Sequence, residues 1–380
     1  VANETAGSID VIERKDGKNK LVQAITLGSD PSDIMATGKN HLFVNVTGSN
    51  IVAKLDPVGD IVEWRANVPS GLRPVHGYLD PEGTRVWALN DADAATGIDT
   101  LTTECKNKAM GSVTWIQNHG DGSEPSGGGG GTLAKINSKI ICIGKGHHKA
   151  AFSVPSADHH PNMPYRVFVS NIKDGTISVI DNATTSPTYL TLICTIDLCD
   201  AAKQAGGCDA DLATVNGAAP HGMDYSPVSG KIYNANIGYG TVSVIDAAFA
   251  LDPSPTAGNT GAVVKTIDIG FVNKTHASPD GRFIVVKGTD SKSDPDHLHG
   301  KLSVINVADH TFVQTSLPDL HPDNFEFTPD GKKLYVATAT TGSVAQKVKL
   351  KNDLLLVFDA SALQAVLPPP KEVKVGAGTG

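Results

Sequence analysis

The chain has 380 residues, of which 40% are hydrophobic, with 39 Gly, 22 Pro and a formal net charge of −8. This negative charge argues against nucleic acid as the main partner, because a phosphate backbone binds a basic surface. No run approaches the roughly 20 apolar residues that a membrane-spanning helix needs, so no membrane span is predicted. The many glycines and prolines favour short strands separated by turns.

Strands are predicted from the first residues onward. Residues 1–14 (VANETAGSIDVIER) contain the end of a second strand and a third strand, and residues 20–28 (KLVQAITLG) a fourth. Six full repeats of four strands follow, and they begin near residues 32, 73, 146, 218, 271 and 321. Alternating Val, Ile and Tyr favour strands, and Asp-Gly turns supply the positive φ of tight hairpins.

A four-stranded antiparallel unit that recurs every 45–55 residues or so is typical of a propeller blade. The sequence therefore predicts an all-β fold, a seven-bladed β-propeller of four-stranded antiparallel blades, as a single domain over residues 1–380. Strands from both ends would share the seventh blade, which hides sheet edges. Residues 371–380 stop where the next first strand should begin, so the closing strand is expected to be missing.

The second repeat is predicted to carry a long loop insertion over about 91–131, which includes five consecutive glycines at 127–131. Cys105 lies within this insertion and Cys142 follows it. A disulfide between them would close the loop.

A second cysteine pair, Cys199 and Cys208, flanks a short Gly-rich segment and is also placed to form a disulfide. Two such pairs predict an oxidising compartment, periplasmic or extracellular. Cys194 lies in an apolar run and is expected to be a buried thiol. No Cys-x-x-Cys-His motif occurs, so covalent haem is not expected.

Three phrases carry a resemblance to a known family: GTISVID at 175–181, GTVSVID at 240–246 and KLYVAT at 333–338. They resemble the YVTN-repeat propellers of bacterial periplasmic and archaeal surface proteins. The resemblance extends over nearly the whole chain. It implies the fold and leaves the function open, because propellers host many activities.

Five successive repeats place a histidine near the start of the first strand, which lines the channel of a propeller. These candidate metal ligands are His76, His148, His221, His276 and His321. Converging neutral imidazoles are natural ligands for copper, zinc, nickel or iron. The structural alternative is that each histidine caps its strand and hydrogen-bonds a neighbouring blade. His147 stands beside His148, and nearby loops add the carboxylates of Asp33, Asp91, Asp290 and Asp323.

This arrangement is similar in plan to the propeller domain of nitrous oxide reductase, where histidines from successive blades hold a copper cluster. The matching positions are the same five histidines. The chain departs from that enzyme because it has no cupredoxin-like domain, no histidine in the first repeat and fewer histidines in the ring. The resemblance therefore implies a mononuclear or dinuclear copper site.

Three functions are open on the sequence alone. The first is a periplasmic or secreted propeller that binds copper for a redox or metal-handling role, as in a copper-dependent oxidoreductase with a small-molecule substrate or an electron-transfer protein as partner. The second is a metal-free scaffold that binds a protein. The third is a hydrolase similar to the lactonase propellers. No catalytic residue is assigned, and no Walker, Rossmann or nucleophile-elbow motif occurs.

Overall fold

The computed structural model describes most of the chain. The described residues are 2–15, 18–36, 41–56, 61–68, 72–83, 85–117, 137–209, 211–212, 214–251, 260–290, 299–318, 320–338, 354–360, 363 and 371–374.

Short strands dominate these residues. In chain order they are β1 (Ala2–Asn3), β2 (Ser8–Lys15), β3 (Lys18–Thr26), β4 (Pro31–Ala36), β5 (Leu42–Val46), β6 (Ile51–Asp56), β7 (Ile61–Asn67), β8 (Pro74–Leu79), β9 (Arg85–Asn90), β10 (Gly111–Gln117), β11 (Ser138–Ile143), β12 (Ala150–Ser153), β13 (Arg166–Asn171), β14 (Thr176–Asp181), β15 (Leu192–Asp197), β16 (Pro220–Ser226), β17 (Lys231–Asn236), β18 (Thr241–Asp246), β19 (Val263–Asp268), β20 (Lys274–Ala277), β21 (Phe283–Asp290), β22 (His299–Asn306), β23 (Phe312–Pro318), β24 (Pro322–Phe327), β25 (Lys333–Thr338), β26 (Leu354–Asp359) and β27 (Lys371–Lys374). One α-helix, α1 (Thr103–Asn107), occurs among the described residues.

The described strands form seven antiparallel sheets, six of four strands and one of three. Strands that are consecutive in the chain are neighbours in each sheet: β1–β3, β4–β7, β8–β11, β12–β15, β16–β19, β20–β23 and β24–β27. This is the topology of a seven-bladed β-propeller, and it confirms the predicted fold class. The first strands begin at or within four residues of the predicted repeat starts.

The ends of the chain follow the predicted blade pattern with one difference. Strands β1, β2 and β3 form the three-stranded sheet, as expected for parts of a second, a third and a fourth strand. The segment Lys371–Lys374 is β27, the fourth strand of the last sheet, and not the start of a new blade.

The chain divides into two compact units: unit 1 is Val1–Ala150 with Val169–Ile193, and unit 2 is Ala151–Phe168 with Cys194–Gly380. The expectation of a single domain stays a prediction. Among the described residues, no helix is long and apolar enough to cross a membrane.

The cores of unit 1 lie between successive sheets. Because side chains alternate along a strand, consecutive residues of β5 point to opposite faces. Phe43 packs in one buried cluster with Val86 of the next sheet, and Val44 packs in another with Ile9 of the preceding sheet. The β-branched and aromatic residues of a middle strand therefore fill two cores at once.

Unit 2 has the same plan. In β21, Ile284 belongs to a buried cluster with Tyr233 of the preceding sheet, and Val285 to a cluster with Phe325 of the following one. Both faces of each middle strand are covered, which explains why these strands read as apolar runs.

A buried asparagine ends the second strand of three sheets. Asn90, Asn171 and Asn236 are each at most 1% exposed. Each side-chain amide donates to two hydroxyls on the third strand, and the pairs are Ser112 with Thr114, Thr176 with Ser178, and Thr241 with Ser243. The Asn that recurs in the repeats is therefore a cross-strand clamp.

Replacing Asn236 by Ala is expected to lower the free energy of unfolding by about 2 kcal/mol, because it leaves the hydroxyls of Thr241 and Ser243 buried without their donor. Chemical denaturation of both proteins measures the difference. Asn137→Ala, at an exposed asparagine, is the control and should stay within about 0.5 kcal/mol. Equal effects of the two substitutions would contradict the clamp.

The predicted loop insertion is interrupted by regular structure. Residues 91–110 lie between β9 and β10 and contain α1, and β10 itself (Gly111–Gln117) falls inside the range expected to be loop. Six of the seven residues of β10 are buried. The free energy gained by this burial outweighs the preference of the nearby glycines for loops. The glycine run at 127–131 lies outside the described residues.

Both predicted disulfides are present. Cys105 of α1 is joined to Cys142 of β11, and Cys199 is joined to Cys208. Cys194 belongs to neither of these disulfides, and its exposure is intermediate, whereas a buried residue was expected.

Candidate functional site

Two strands of unit 1 bring a carboxylate and an imidazole together. Asp33 is on β4 and His76 is on β8, each two residues after a proline and just after a shift in strand register. The Asp33 carboxylate lies 3.5 Å from His76 Nδ1 and accepts a hydrogen bond from the Gly77 amide at 3.2 Å. The two strands thus present their polar side chains at the same level.

The start of β8 is fixed by backbone geometry. Arg73 has φ of 52°, which is unusual before a proline. Its amide donates to Asn50 Oδ1 at 3.0 Å, and its carbonyl accepts from the Asp91 amide at 3.1 Å. The residue that follows β9, Asp91, is thereby pinned beside the entry of β8.

A third segment, which precedes β12, completes the cluster. His147 Nε2 lies 2.8 Å from His76 Nε2, and His147 Nδ1 lies 2.6 Å from Asp91 Oδ2. Lys149 Nζ donates to His76 Nδ1 at 2.9 Å. Four side chains from three segments therefore form one hydrogen-bonded chain, Lys149–His76–His147–Asp91, called the relay below.

The insertion holds this third segment in place. Gly97 accepts a backbone hydrogen bond from Gly146 at 3.0 Å. A Cβ on Gly97 would lie 2.2 Å from the Gly146 Cα, so only glycine permits the contact. The contact sets the position of the residue just before His147.

One assignment of protons satisfies every member of the relay. The Lys149 ammonium can only donate, so His76 Nδ1 accepts and the proton of neutral His76 is on Nε2. That proton is donated to His147 Nε2, which leaves His147 Nδ1–H to donate to Asp91. The two rings are nearly perpendicular, at 87°, so the Nε2–H of one points at the lone pair of the other.

The surroundings decide the charges in the relay. Burial lowers the pKa of His76 to about 4, against the electrostatic attraction of the nearby Asp33 carboxylate and with added repulsion from Lys149 and His147. Burial alone would raise the pKa of Asp91, but the hydrogen bond from His147 and the favourable electrostatic interaction with its ring hold that pKa below its usual value. His76 is therefore neutral and Asp91 ionised near pH 7. His147 is the more open imidazole, at 33% exposure against 19% for His76.

His148, the other predicted ligand in unit 1, is fully buried. Its Nδ1 donates to the Ser170 carbonyl at 2.7 Å, and its Nε2 has no hydrogen-bond partner among the described residues. Burial lowers its pKa, against the hydrogen bond to Ser170. It points away from solvent, whereas its neighbour His147 joins the relay.

Unit 2 holds the other three predicted ligands in different surroundings. His221 Nδ1 donates to the Asn273 carbonyl at 3.0 Å. His321 directly precedes β24 and is half-buried. The imidazole of His276 is held by two carboxylates, Asp224 at 2.6 Å from Nδ1 and Glu326 at 2.9 Å from Nε2.

This His276 clamp connects three successive sheets of unit 2. Asp224 is on β16, His276 on β20 and Glu326 on β24, and the Asp224 carboxylate also accepts the Ala277 amide at 2.8 Å. Burial opposes protonation, but the two carboxylates raise the pKa of His276 to about 10. Both ring nitrogens carry protons, so His276 as placed has no lone pair for a metal.

The clamp predicts that the stability of unit 2 depends on pH. The pKa of His276 rises from 6.5 when unfolded to about 10 when folded, so its contribution is complete below about pH 6.5 and is lost as pH rises towards 10. We expect the free energy of unfolding to fall by about 2–3 kcal/mol over that range. This is less than the full pKa shift would give, because solvent screens the charge of the exposed Glu326. Urea unfolding from pH 6 to 10 measures it.

His276→Gln is the control for this prediction. The variant should be less stable than the parent at pH 6, and the difference between the two proteins should narrow towards pH 10. A difference that stays constant with pH would contradict a protonated His276.

The structure thus distributes the predicted ligands over distinct environments. Among the described residues, no group of three or more His, Cys, Asp or Glu side chains could hold a metal ion. The five-histidine metal site stays a prediction. The side chains of Asp290 and Asp323 lie outside the described set.

Sequence reasoning named Asp33 and Asp91 as nearby carboxylates, but it chose His148 over His147 and missed Lys149. One signal was available: in the run His147-His148-Lys149, alternate residues point the same way once the segment is extended.

Comparisons with known proteins support the fold. No family model matches the chain, and no curated protein is similar to it in sequence. Solved structures do match over most of the chain. One is a candidate 6-phosphogluconolactonase from Bacteroides fragilis, with a TM-score of 0.54 and 13% identity over 95% of this chain and 88% of that one.

Two further structures show the same likeness. Hydrazine synthase from Kuenenia stuttgartiensis has a TM-score of 0.53 and 16% identity, over 87% of this chain and 76% of that one. A catalytically inactive variant of virginiamycin B lyase from Staphylococcus aureus, solved with quinupristin, has a TM-score of 0.51 and 11% identity, over 88% and 86%. Identities this low show a shared fold and nothing about activity.

Proposed function

We propose that unit 1 carries an acid–base active site that hydrolyses a small ester or lactone, with the relay as its catalytic machinery. The observation that carries this proposal is the unbroken hydrogen-bonded chain from Lys149 to Asp91. General acid–base catalysis needs side chains within hydrogen-bond reach of one another. The distances of 2.6–2.9 Å along the relay meet this requirement.

Lys149 is the base in this proposal. One proton passes from Lys149 Nζ to His76 Nδ1 while the Nε2 proton of His76 passes to His147 Nε2. The charge then rests on the His147 imidazolium, which the Asp91 carboxylate stabilises. Lys149 becomes a neutral amine able to accept a proton.

Hydrolysis follows with a balanced set of protons. Water attacks the carbonyl carbon of the substrate and gives a proton to the Lys149 amine. This addition forms a tetrahedral intermediate. Its collapse breaks the bond to the leaving oxygen, and Lys149 returns a proton to that alkoxide. The proton held on His147 then passes back through His76 to Lys149, and the site is reset.

The first assay is a panel of γ- and δ-lactones and simple aryl esters, chosen because one fold neighbour is named as a lactonase. We expect turnover that persists after treatment with a chelator. Asp91→Asn should lower kcat by about 10- to 100-fold, because an amide cannot stabilise the His147 cation. No turnover on the whole panel would contradict the hydrolase proposal.

Asp93→Asn is the matched control. Asp93 lies two residues away, and its Oδ1 accepts the Ala95 amide at 2.8 Å, which an asparagine oxygen can also do. Its kcat should match the parent value. If kcat falls equally in both variants, Asp91→Asn acts by disturbing the fold of the insertion and not through the relay.

A second candidate is copper binding with a redox or metal-handling role, as the resemblance to copper propellers implies. The observation in its favour is the convergence of His76 Nε2 and His147 Nε2, with Asp91 behind His147 as in many metal-bound histidines. Among the described residues, these donors do not form a group of three or more that could hold a metal ion, so a copper ion here would need a further ligand. About one copper per chain, lost in a His76→Ala, His147→Ala variant, would favour this candidate, and its absence would contradict it.

Two disulfides suit an oxidising compartment. A periplasmic or extracellular location therefore belongs to the proposal.

A further inference from the structure

The three residues His147, His148 and Lys149 alternate in direction. His147 and Lys149 both join the relay, and His148 between them is fully buried. His147 and Lys149 are thus the two chain neighbours of one residue whose imidazole is buried. Whatever fixes that imidazole fixes the positions of His147 and Lys149.

Three contacts with Ser170 hold this segment. The His148 ring donates from Nδ1 to the Ser170 carbonyl at 2.7 Å. The Lys149 amide donates to Ser170 Oγ, and the Ser170 amide donates to the Lys149 carbonyl, both at 2.9 Å. Ser170 is itself fully buried on β13. The segment is therefore attached to a rigid strand through one residue.

The far side of the ring is fitted to a glycine. A Cβ on Gly111 would lie 2.7 Å from His148 Nε2, so a larger residue there would displace the imidazole. The same Nε2 is buried with no hydrogen-bond partner among the described residues. Leaving a buried acceptor unpaired is costly, so packing alone would favour an apolar side chain of similar size. The presence of a histidine here is better explained by the hydrogen bond that its Nδ1–H donates to Ser170.

We infer that His148 is a positioning residue for the proposed active site, which holds His147 and Lys149 in register by the bond from its Nδ1–H to Ser170. This inference rests on the proposed function for its catalytic consequence, but its structural part concerns the relay itself. It assigns His148 a role other than metal ligation.

Histidine-labelled NMR of the parent protein gives the first test, independent of activity and of any variant. One-bond and two-bond ¹H–¹⁵N correlations report which ring nitrogen carries the proton. His148 is expected as the Nδ1–H tautomer, His147 as Nδ1–H and His76 as Nε2–H. An Nε2–H tautomer at His148 would overturn the inference.

A pair of isosteric variants gives the second test. In His148→Asn the side-chain amide nitrogen takes the place of Nδ1 and can still donate to Ser170. In His148→Gln the amide takes the place of Nε2, and that bond is lost. In the Gln variant, the ring nitrogen signals of His76 and His147 are expected to average over the two tautomers. In the Asn variant, each ring is expected to keep the signals of a single tautomer.

Kinetics on any substrate found in the panel supply the last readout. His148→Gln is expected to lower kcat at least about tenfold with KM within about twofold, since small displacements of catalytic groups cost rate more than binding. His148→Asn should recover most of that loss. His159→Gln, at an exposed histidine of unit 2, is the control.

The outcomes separate the two proposals. Altered tautomers in the Gln variant without turnover in the parent would support the positioning role and contradict the hydrolase. Unaltered tautomers and rate in the Gln variant would overturn the positioning role and leave the hydrolase standing. A lower melting temperature with unchanged tautomers would show a merely structural His148 and also overturn it.

Discussion

Replacing Lys149 by Met is expected to abolish most of the proposed hydrolysis, with kcat lower by about 100- to 10,000-fold, the range attributed to a positioned base. Met has a similar length and volume and cannot accept a proton. The loss should fall on kcat more than on KM, because the base acts in the transition state. Steady-state kinetics on the best substrate of the panel measure both constants.

Lys149→Arg separates the two roles that a lysine can have. A guanidinium keeps the positive charge and can donate to His76 Nδ1, but it does not deprotonate in proteins. If Lys149 is the base, the Arg variant is as inactive as the Met variant. Substantial activity in the Arg variant would mean that Lys149 contributes only charge, and would contradict its role as a base.

Lys145→Met is the matched control on the same segment. Lys145 pairs with Asp174 at 3.3 Å and takes no part in the relay. Its removal should leave kcat within about twofold of the parent value, because the ion pair does not include a residue of the relay. A large loss in this variant would show that the segment tolerates no substitution.

Removing the disulfide between Cys105 and Cys142 by a double Cys→Ala substitution is expected to cost about 4 kcal/mol of unfolding free energy. The bond closes a loop with a sequence separation of 37, and in the chain-entropy model the stabilisation grows with the logarithm of that length. The bond between Cys199 and Cys208 has a separation of 9 and should contribute about 2.5 kcal/mol. Denaturant midpoints of the two double variants measure the ranking.

The longer disulfide also bears on the active site. Cys105 lies in the segment between β9 and β10, which begins with Asp91 and contacts Gly146 through Gly97. Its loss should therefore lower activity under conditions where the protein is still folded. The double variant at Cys199 and Cys208 should retain activity. The reverse order, in stability or in activity, would contradict this account.

Much of the fold was predictable because the signals are local and repeated. The turn Ser278-Pro279-Asp280-Gly281 and the phrase 240–246 each specify a hairpin or a strand without help from distant residues. Repetition then specifies the blade and its number. The predicted loop was wrong at Gly111–Gln117, which forms strand β10. The glycine-rich sequence that follows this strand favoured a loop.

The candidate site was predictable only in part. The position of His76 at the start of a first strand followed from the repeat, and so did the proximity of Asp33 and Asp91. The choice of His147 over His148 did not, because adjacent histidines differ only in which one faces the core. Lys149 carried no motif, and its role depends on a distance of 2.9 Å to a residue 73 positions away.

The sequence by itself determined the all-β class and the seven blades, since each depends on residue types at short or recurring spacing, and it marked two cysteine pairs as candidate disulfides. Only the tertiary structure decided what the histidines do. His76 and His276 occupy comparable first strands, yet His76 is neutral beside an ammonium and a second imidazole, and His276 is a cation between two carboxylates. The physical reason is that protonation depends on burial and on charges supplied by other strands, and the spacing within one repeat carries no record of them.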